Sequence, residues 1–316
     1  MLSVKCRSCG GEMAVDSSGG LYCGYCGAKY EFSDRDLTEY RAFRGKMLEY
    51  LRAIHDRKTD GAGQEDELWK NAETVTFKAR DGSNITVRYL YDQEDEGVRS
   101  YLTRKSALYV FPEGKSALAE QTLRNIRSLE FPPADVKGLS DAFPKLSGRY
   151  ELADGGVLLA FERQDNLFPL AMFGSLRPEH VAWVISRMEN ICCVLQYSSL
   201  VHGAISEESL WINPISHHAV LMGHWWDAQS INAAAGTLKG AVQSLLGVDS
   251  AKKDLRDLRR TANRVLGMKR EDAPQALTEF LTGSPAADAF ADFEVWDQVI
   301  EKGFGGRRFA KMGIDI

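Results

Sequence analysis

Two short runs in the later part of the first third alternate between apolar and polar residues. Val75-Thr76-Phe77-Lys78-Ala79 and Ile85-Thr86-Val87-Arg88-Tyr89-Leu90 flank Asp81-Gly82, which predicts a β-hairpin with one face in a core. Ser106 to Phe111 predicts a further strand closed by Pro112-Glu113-Gly114, Ala117 to Leu129 a helix, and Gly156 to Phe161 a short apolar strand. The period then lengthens. Pro178 to Leu200 reads as one long helix, Leu210–Asn213 and Ala219–Met222 as short strands joined by Pro214-Ile215-Ser216-His217-His218, and 252–267, 273–282 and 292–302 as helices. Upstream, Leu37, Tyr40, Phe43, Leu48, Leu51 and Ile54 follow helical spacing across 34–56, with Asp34 or Asp36 as cap, and a polar, glycine-containing linker follows to Glu67. Strands first and helices later make an α+β fold with two lobes. The expected division is 1–33, 34–68 (helix and linker), 69–163 (strand-rich lobe) and 164–316 (helical lobe).

Composition narrows the class of function. A hydrophobic content of 44% in 316 residues is enough for a substantial core, and a net charge of -5 excludes a chain that is basic overall and wraps a polyanion. Met1-Leu2-Ser3-Val4-Lys5-Cys6 reaches a cysteine before any apolar run forms, so no secretory leader is read and the cytoplasm is the expected location. The most apolar stretch, His180 to Val201, is interrupted by Arg187 and Glu189 and is expected in a core, with no membrane partner.

Four of the six cysteines form two pairs, Cys6-Arg7-Ser8-Cys9 and Cys23-Gly24-Tyr25-Cys26, each followed by glycine. Thiolates three positions apart on a glycine-relieved turn make a knuckle, and two knuckles supply four soft ligands in a tetrahedron, which suits zinc. Cys6, Cys9, Cys23 and Cys26 are thus expected to hold one structural zinc ion in a small ribbon, with no coordination position left open for chemistry. Asp16-Ser17-Ser18-Gly19-Gly20 is the turn expected to join two short strands between the knuckles. Within 1–34, Lys5, Arg7 and Lys29 are outweighed by Glu12, Asp16, Glu31 and Asp34, so a protein contact suits the ribbon better than phosphate does. Cys192 and Cys193, inside the apolar helix, read as small buried hydrophobes.

The segment from His202 to Asn213, His202-Gly203-Ala204-Ile205-Ser206-Glu207-Glu208-Ser209-Leu210-Trp211-Ile212-Asn213, follows a long helix and precedes two short strands. In this it resembles the catalytic loop of protein kinases, and the order of elements over 70–316 is similar to that family. Combined with the ribbon, the chain resembles uncharacterised kinase-like proteins of bacteria and their phages. Position by position, the family's histidine corresponds to His202, but its proton-accepting aspartate falls at Ala204, its lysine at Ser206 and its magnesium-holding asparagine at Ser209. The metal-binding Asp-Phe-Gly run falls at Gly223-His224-Trp225. The phosphate-pairing lysine falls near Tyr109 and its glutamate partner near Thr122, with Lys115 and Glu120 as the nearest substitutes. No glycine-rich phosphate loop is read in the Phe77 to Leu90 hairpin. Asp254 matches the buried aspartate that braces the loop.

Phosphoryl transfer needs metal ions on the phosphates and a carboxylate on the attacking hydroxyl. The resemblance therefore implies a catalytically inactive pseudokinase, a scaffold that binds a protein partner and takes neither ATP nor magnesium. Two other readings stay open: a divergent kinase or nucleotide-binding enzyme with relocated carboxylates such as Asp227 or Glu208, and a nucleic-acid-associated module. The latter would use the basic 252–270 helix, with Lys252, Lys253, Arg256, Arg259, Arg260, Arg264, Lys269 and Arg270 over an apolar stripe. Trp225 and Trp226 are expected to fill the empty cleft or to stand exposed as an anchor for a partner. His217 and His218 are expected to be solvated in their turn.

Overall fold

The computed structural model describes residues 13–15, 21–23, 29–30, 44–52, 68–70, 72–133, 136–231, 252–308, 310 and 312. The chain divides into two compact units, Met1–Lys70 and Asn71–Ile316.

In the first unit, β1 (Met13–Val15), β2 (Leu21–Cys23) and β3 (Lys29–Tyr30) form an antiparallel sheet in that order. Met13 lies opposite Cys23 and Val15 opposite Leu21, so two short strands pair here, while residues 16–20, where the turn was expected, lie outside the described residues. Cys6, Cys9 and Cys26 lie outside the described residues, as do the linker and both ends of the predicted 34–56 helix. Its middle, 44–52, is helical (α1), with Met47, Leu48 and Leu51 buried.

The second unit begins with a six-stranded antiparallel sheet. Its members are β4 (Glu73–Lys78), β5 (Asn84–Asp95), β6 (Val98–Thr103), β7 (Ser106–Phe111), β8 (Leu146–Glu151) and β9 (Val157–Glu162), in the order β4-β5-β6-β7-β9-β8. The β4–β5 turn is held by Asp81, whose Oδ1 accepts from the Ser83 amide at 2.9 Å, while Gly82 takes φ +87°. Alternation puts Val75, Phe77, Ile85, Val87 and Tyr89 on one face with Tyr101, Leu108, Leu158 and Ala160. The sheet curls around that cluster, with a bulge at Tyr89/Tyr91, until Ala79 pairs with Leu152 and the Ala153 amide bonds Lys78 O at 2.8 Å. The first and last strands thereby meet at one end. Helix α2 (Ser116–Arg127) packs on β7 and β9 through buried Ala119 and Leu123.

Arg163 carries the chain out of the sheet. Its Nε donates to Leu167 O at 2.8 Å, its Nη1 to Arg104 O at 2.9 Å, and its guanidinium lies 4.6 Å from the Phe168 ring centre. Beyond it the helical half is built on α3 (Pro178–Tyr197), which packs against α4 (Lys253–Leu266) and α6 (Ala289–Phe304) and opens with proline at its first turn. Val181, Val184, Ile185, Met188, Ile191 and Leu195 of α3 are all buried, as a core helix requires. Among the described residues no helix is long and apolar enough to cross a membrane. Helix α5 (Gln275–Thr282) completes the half.

Short strands frame the junction of the two halves: β10 (Phe168–Pro169), β12 (Leu210–Asn213) and β13 (His218–Leu221) form one sheet, β11 (Leu200–Val201) and β14 (Gln229–Ser230) another. His217 departs from expectation. It is 6% exposed, and its ring lies on Trp183 with centres 4.7 Å apart, because Trp183 and Arg187 both donate to its carbonyl and draw the turn down onto α3.

Candidate functional site

Strand β11 delivers the chain to the 202–209 loop, and Asp254 at the start of α4 holds it there. The His202 amide donates to Asp254 Oδ2 at 2.8 Å and the Gly203 amide to Oδ1 at 2.7 Å. Burial pushes the Asp254 carboxyl up to about 6, and these two donors pull the other way. His202 is fully buried, with Nε2 3.0 Å from Gly223 O, so Nε2 carries the proton and donates. Burial, then His224, push its imidazole down to about 3. It is a neutral brace between loop and cleft floor, not an acid or base in reach of a ligand.

The loop's two serines are spent on the loop itself. Ser209, fully buried, donates from Oγ to Ala204 O at 2.9 Å and accepts from the Ser206 amide at 2.9 Å. Glu207 is buried and lies 3.4 Å from Arg264. A methyl group stands at Ala204, and the serine hydroxyl at 209, which accepts from the Ser206 amide and lies 3.4 Å from the Ser206 hydroxyl, is a poor ligand for a hard cation.

Gly223 to Ala228 lie at the junction of the two halves, where the kinase resemblance puts the floor of a nucleotide cleft. A Cβ at Gly223 would come within 3.3 Å of both the Tyr109 hydroxyl and Ser209 Cα, so a carboxylate there would displace the wall of the cleft. Tyr109 itself is buried on β7, and burial pushes its hydroxyl up. The two tryptophans are both inside, 1% and 9% exposed, which removes the exposed-anchor alternative. Trp225 donates from Nε1 to Leu221 O at 2.8 Å and sets its edge against His202, ring centres 5.1 Å apart. Trp226 lies beneath β7, its ring centre 5.8 Å from Tyr109, 5.6 Å from Phe111 and 4.9 Å from His224. Its Nε1 is buried without a hydrogen-bond partner. Asn125 on α2 fixes the floor's backbone by donating from Nδ2 to Trp225 O and Ala228 O.

Sequence-matched positions are thus brought together at His202, Ala204, Ser209, Gly223, Tyr109 and Asp254, but the substitutes are not. Glu120 turns to Arg149 at 2.5 Å, Thr122 donates to Leu118 O within its own helix, and Lys115 sits beside Gly97. The hairpin that reaches the cleft is not the 77–90 one but the β5–β6 turn, Asp95-Glu96-Gly97, from which Asp95 touches His224 at 3.3 Å. Asp227, the relocated carboxylate of the enzyme reading, lies 3.4 Å from His224 Nδ1. Asn125 and Asp95 are the site residues that sequence reading missed. An amide on the apolar side of α2, in line with Thr122 and Leu123, is the one signal that pointed to the first. Among the described residues no three His, Cys, Asp or Glu side chains gather as a metal site. At the positions matched to the magnesium ligands of the kinase resemblance stand Ser209 and Gly223, and neither is a carboxylate.

One member of the basic helix departs from expectation. Arg259 is 5% exposed: it forms a two-pronged pair with Asp292 at 2.7 and 2.8 Å and its guanidinium lies 4.1 Å from the Phe280 ring centre. Arg260 and Lys253 both pair with buried Asp257, at 2.8 and 2.9 Å. Arg259 is thus used inside the fold, while Arg260 and Lys253 keep side chains 61% and 45% exposed. A hollow of about 680 Å³ lies away from the cleft, lined by Arg270, Glu271, Gln275, Thr278 and Glu279, and has no bearing on this chemistry.

Solved structures similar to this chain are protein kinase domains. A rhoptry kinase from Toxoplasma gondii is 10% identical, with 81% of this chain and 93% of that one covered and a TM-score of 0.47. The kinase domain of a Toxoplasma gondii specific rhoptry antigen is 11% identical over 81% of this chain and 96% of its own, TM-score 0.44. The BubR1 kinase domain is 8% identical over 66% and 82%, TM-score 0.44. No protein-family model and no curated protein matches the chain.

Proposed function

We propose that residues 71–316 are a protein-kinase-like module whose nucleotide cleft has become packed core, and that the protein acts by binding another protein rather than by phosphoryl transfer. The observation that carries this is the floor of the cleft: Gly223 is backed against the Tyr109 hydroxyl, and the Trp226 indole fills the space under β7. The reading is supported by a curled sheet with one helix followed by a helical half, and by the His202 loop braced on Asp254. Where charge would have to be neutralised and a hydroxyl steered, the chain offers a methyl group, a hydrogen and an occupied serine. Losing a general base alone costs about two to four orders of magnitude in rate.

The test is a thermal-shift titration of the whole protein with ATP, with and without magnesium. No metal-dependent rise in melting temperature is expected. A rise that needs magnesium and disappears in Asp227→Asn would establish the relocated-carboxylate enzyme instead. Affinity capture from the native host would then identify the partner.

We further propose that Cys6, Cys9, Cys23 and Cys26 hold one structural zinc ion. Cys23 ends the middle strand of the small sheet, and the spacing of the pairs supports thiolate knuckles on either side. Elemental analysis should find one zinc per chain, lost in Cys23→Ser. A metal-free wild-type chain with the same melting temperature overturns it.

A further inference from the structure

At the mouth of the cleft His224 stands between two carboxylates from different parts of the fold. Its Nε2 lies 3.3 Å from Asp95 Oδ2 at the end of β5, and its Nδ1 3.4 Å from Asp227 Oδ2 on its own loop. The three side chains are 15%, 38% and 36% exposed, so solvent reaches this corner and protons can exchange there. A neutral imidazole has a single N–H and donates to one carboxylate, whereas the imidazolium donates to both. The geometry is therefore complete only when His224 is charged.

The backbone on both sides is shaped to make these contacts. His224 takes φ 62°, in the left-handed region that a histidine occupies at a cost, and Glu96 and Gly97 turn the hairpin with φ 50° and 73°. The Trp226 indole lies 4.9 Å from the imidazole at 38°, so the histidine sits directly over the plug. Other charged groups at this corner are few. His202, from the preceding loop, is buried and neutral. Lys253 of α4 is held by Asp257 and the Gly203 carbonyl, and Lys115 lies beside Gly97 of the turn.

We propose that His224 is a proton-operated latch: charged, it ties the β5–β6 hairpin to the cleft floor and covers Trp226, and neutral, it lets Asp95 go. Asp95 is the one released because Asp227, three residues from His224, closes a much shorter loop to reach the same ring. The latch rests on this geometry alone and does not depend on whether the cleft takes nucleotide.

Hydrogen exchange of the 95–98 amides, expressed as protection over intrinsic rates, tests it in the full chain at pH 5.5 and pH 8. Wild type should be about fivefold better protected at the lower pH, the size expected of a partly exposed charge pair. Asp95→Asn, at an accessible hairpin tip, should abolish the difference. Asp227→Asn should leave the hairpin protected at both pH values, because the competitor is gone. Protection that is independent of pH in wild type, or that keeps its pH dependence in Asp95→Asn, overturns the latch.

Discussion

Asn125 and Trp225 are joined by a hydrogen bond of 2.8 Å from the amide nitrogen of one to the carbonyl of the other, and the same nitrogen reaches Ala228 O at 2.7 Å. One buried side chain on the helix of the sheet half thus holds both ends of the loop that plugs the cleft.

Replacing Asn125 by alanine leaves the Trp225 carbonyl without its donor and Ala228 O with only the longer bond from Gln121 Nε2, 3.4 Å. A loss of about 1–3 kcal/mol is expected in urea unfolding. The substitution Asn125→Asp should be worse, since a carboxylate facing two carbonyls repels them. A neutral Asn125→Ala would show that the loop is held by packing alone.

The two indoles should respond differently to phenylalanine. Trp225 gives up a 2.8 Å bond to Leu221 O, whereas Trp226 has a buried N–H without a partner. Trp225→Phe should therefore cost more than Trp226→Phe, by about 1 kcal/mol, the net worth of a hydrogen bond. Denaturant midpoints of the two variants decide it, and the reverse order would mean that the Trp226 N–H is satisfied.

Stability should fall as the medium becomes alkaline, because of Glu189. Burial, then the neighbouring Asp292, push this carboxyl from 4.5 up to about 9. Between those values the folded chain keeps a proton that the unfolded chain has released, so unfolding gains ground as pH rises. His202, pushed from 6.5 down to about 3, works in the opposite sense: below 6.5 the unfolded chain takes up a proton first, and stability drops towards acid. Glu189→Gln keeps the shape and removes the first effect. Its melting temperature should gain on wild type steadily from pH 5 to pH 9, and parallel curves would place the titration elsewhere.

Arg259 and Arg260 are adjacent in sequence and should behave as different kinds of residue. Arg259→Ala strands Asp292 in the core and is expected to cost about 3–5 kcal/mol. Arg260, with a side chain 61% exposed, should tolerate glutamate within about 1 kcal/mol. Calorimetry of the two single variants separates them. A charge-reversal test for nucleic-acid binding is informative at Arg260 and not at Arg259.

The strands and helices with a clean period were readable from residues alone. Val75 to Leu90 alternated, and Asp81-Gly82 could only turn, so the hairpin followed. β6 was missed because its buried positions are broken by Arg99 and Ser100, and β8 because Leu146–Glu151 lies at a sheet edge with almost every residue exposed. Neither carries the contrast between faces from which a strand is recognised. Of the cleft, the missing carboxylates at 204 and 223 could be read directly. What filled the space could not, since Trp226 meets Tyr109 and Phe111 across more than a hundred residues of chain. Arg259 misled for a similar reason: its partner Asp292 and its platform Phe280 come from two later helices.

The bond from Ala153 to Lys78 sets an order of events during synthesis. β4 leaves the ribosome first of the six strands, yet its last neighbour is made only after β5, β6, β7, α2 and β8. Until then the end of the hairpin at Lys78 to Arg80 is open, and an unpaired strand is what stray chains stick to. A pause or truncation before β9 would therefore leave a nascent chain with β8 unattached and prone to aggregate, while one that reaches Glu162 can place β8 beside β9 and bring Ala153 to Lys78.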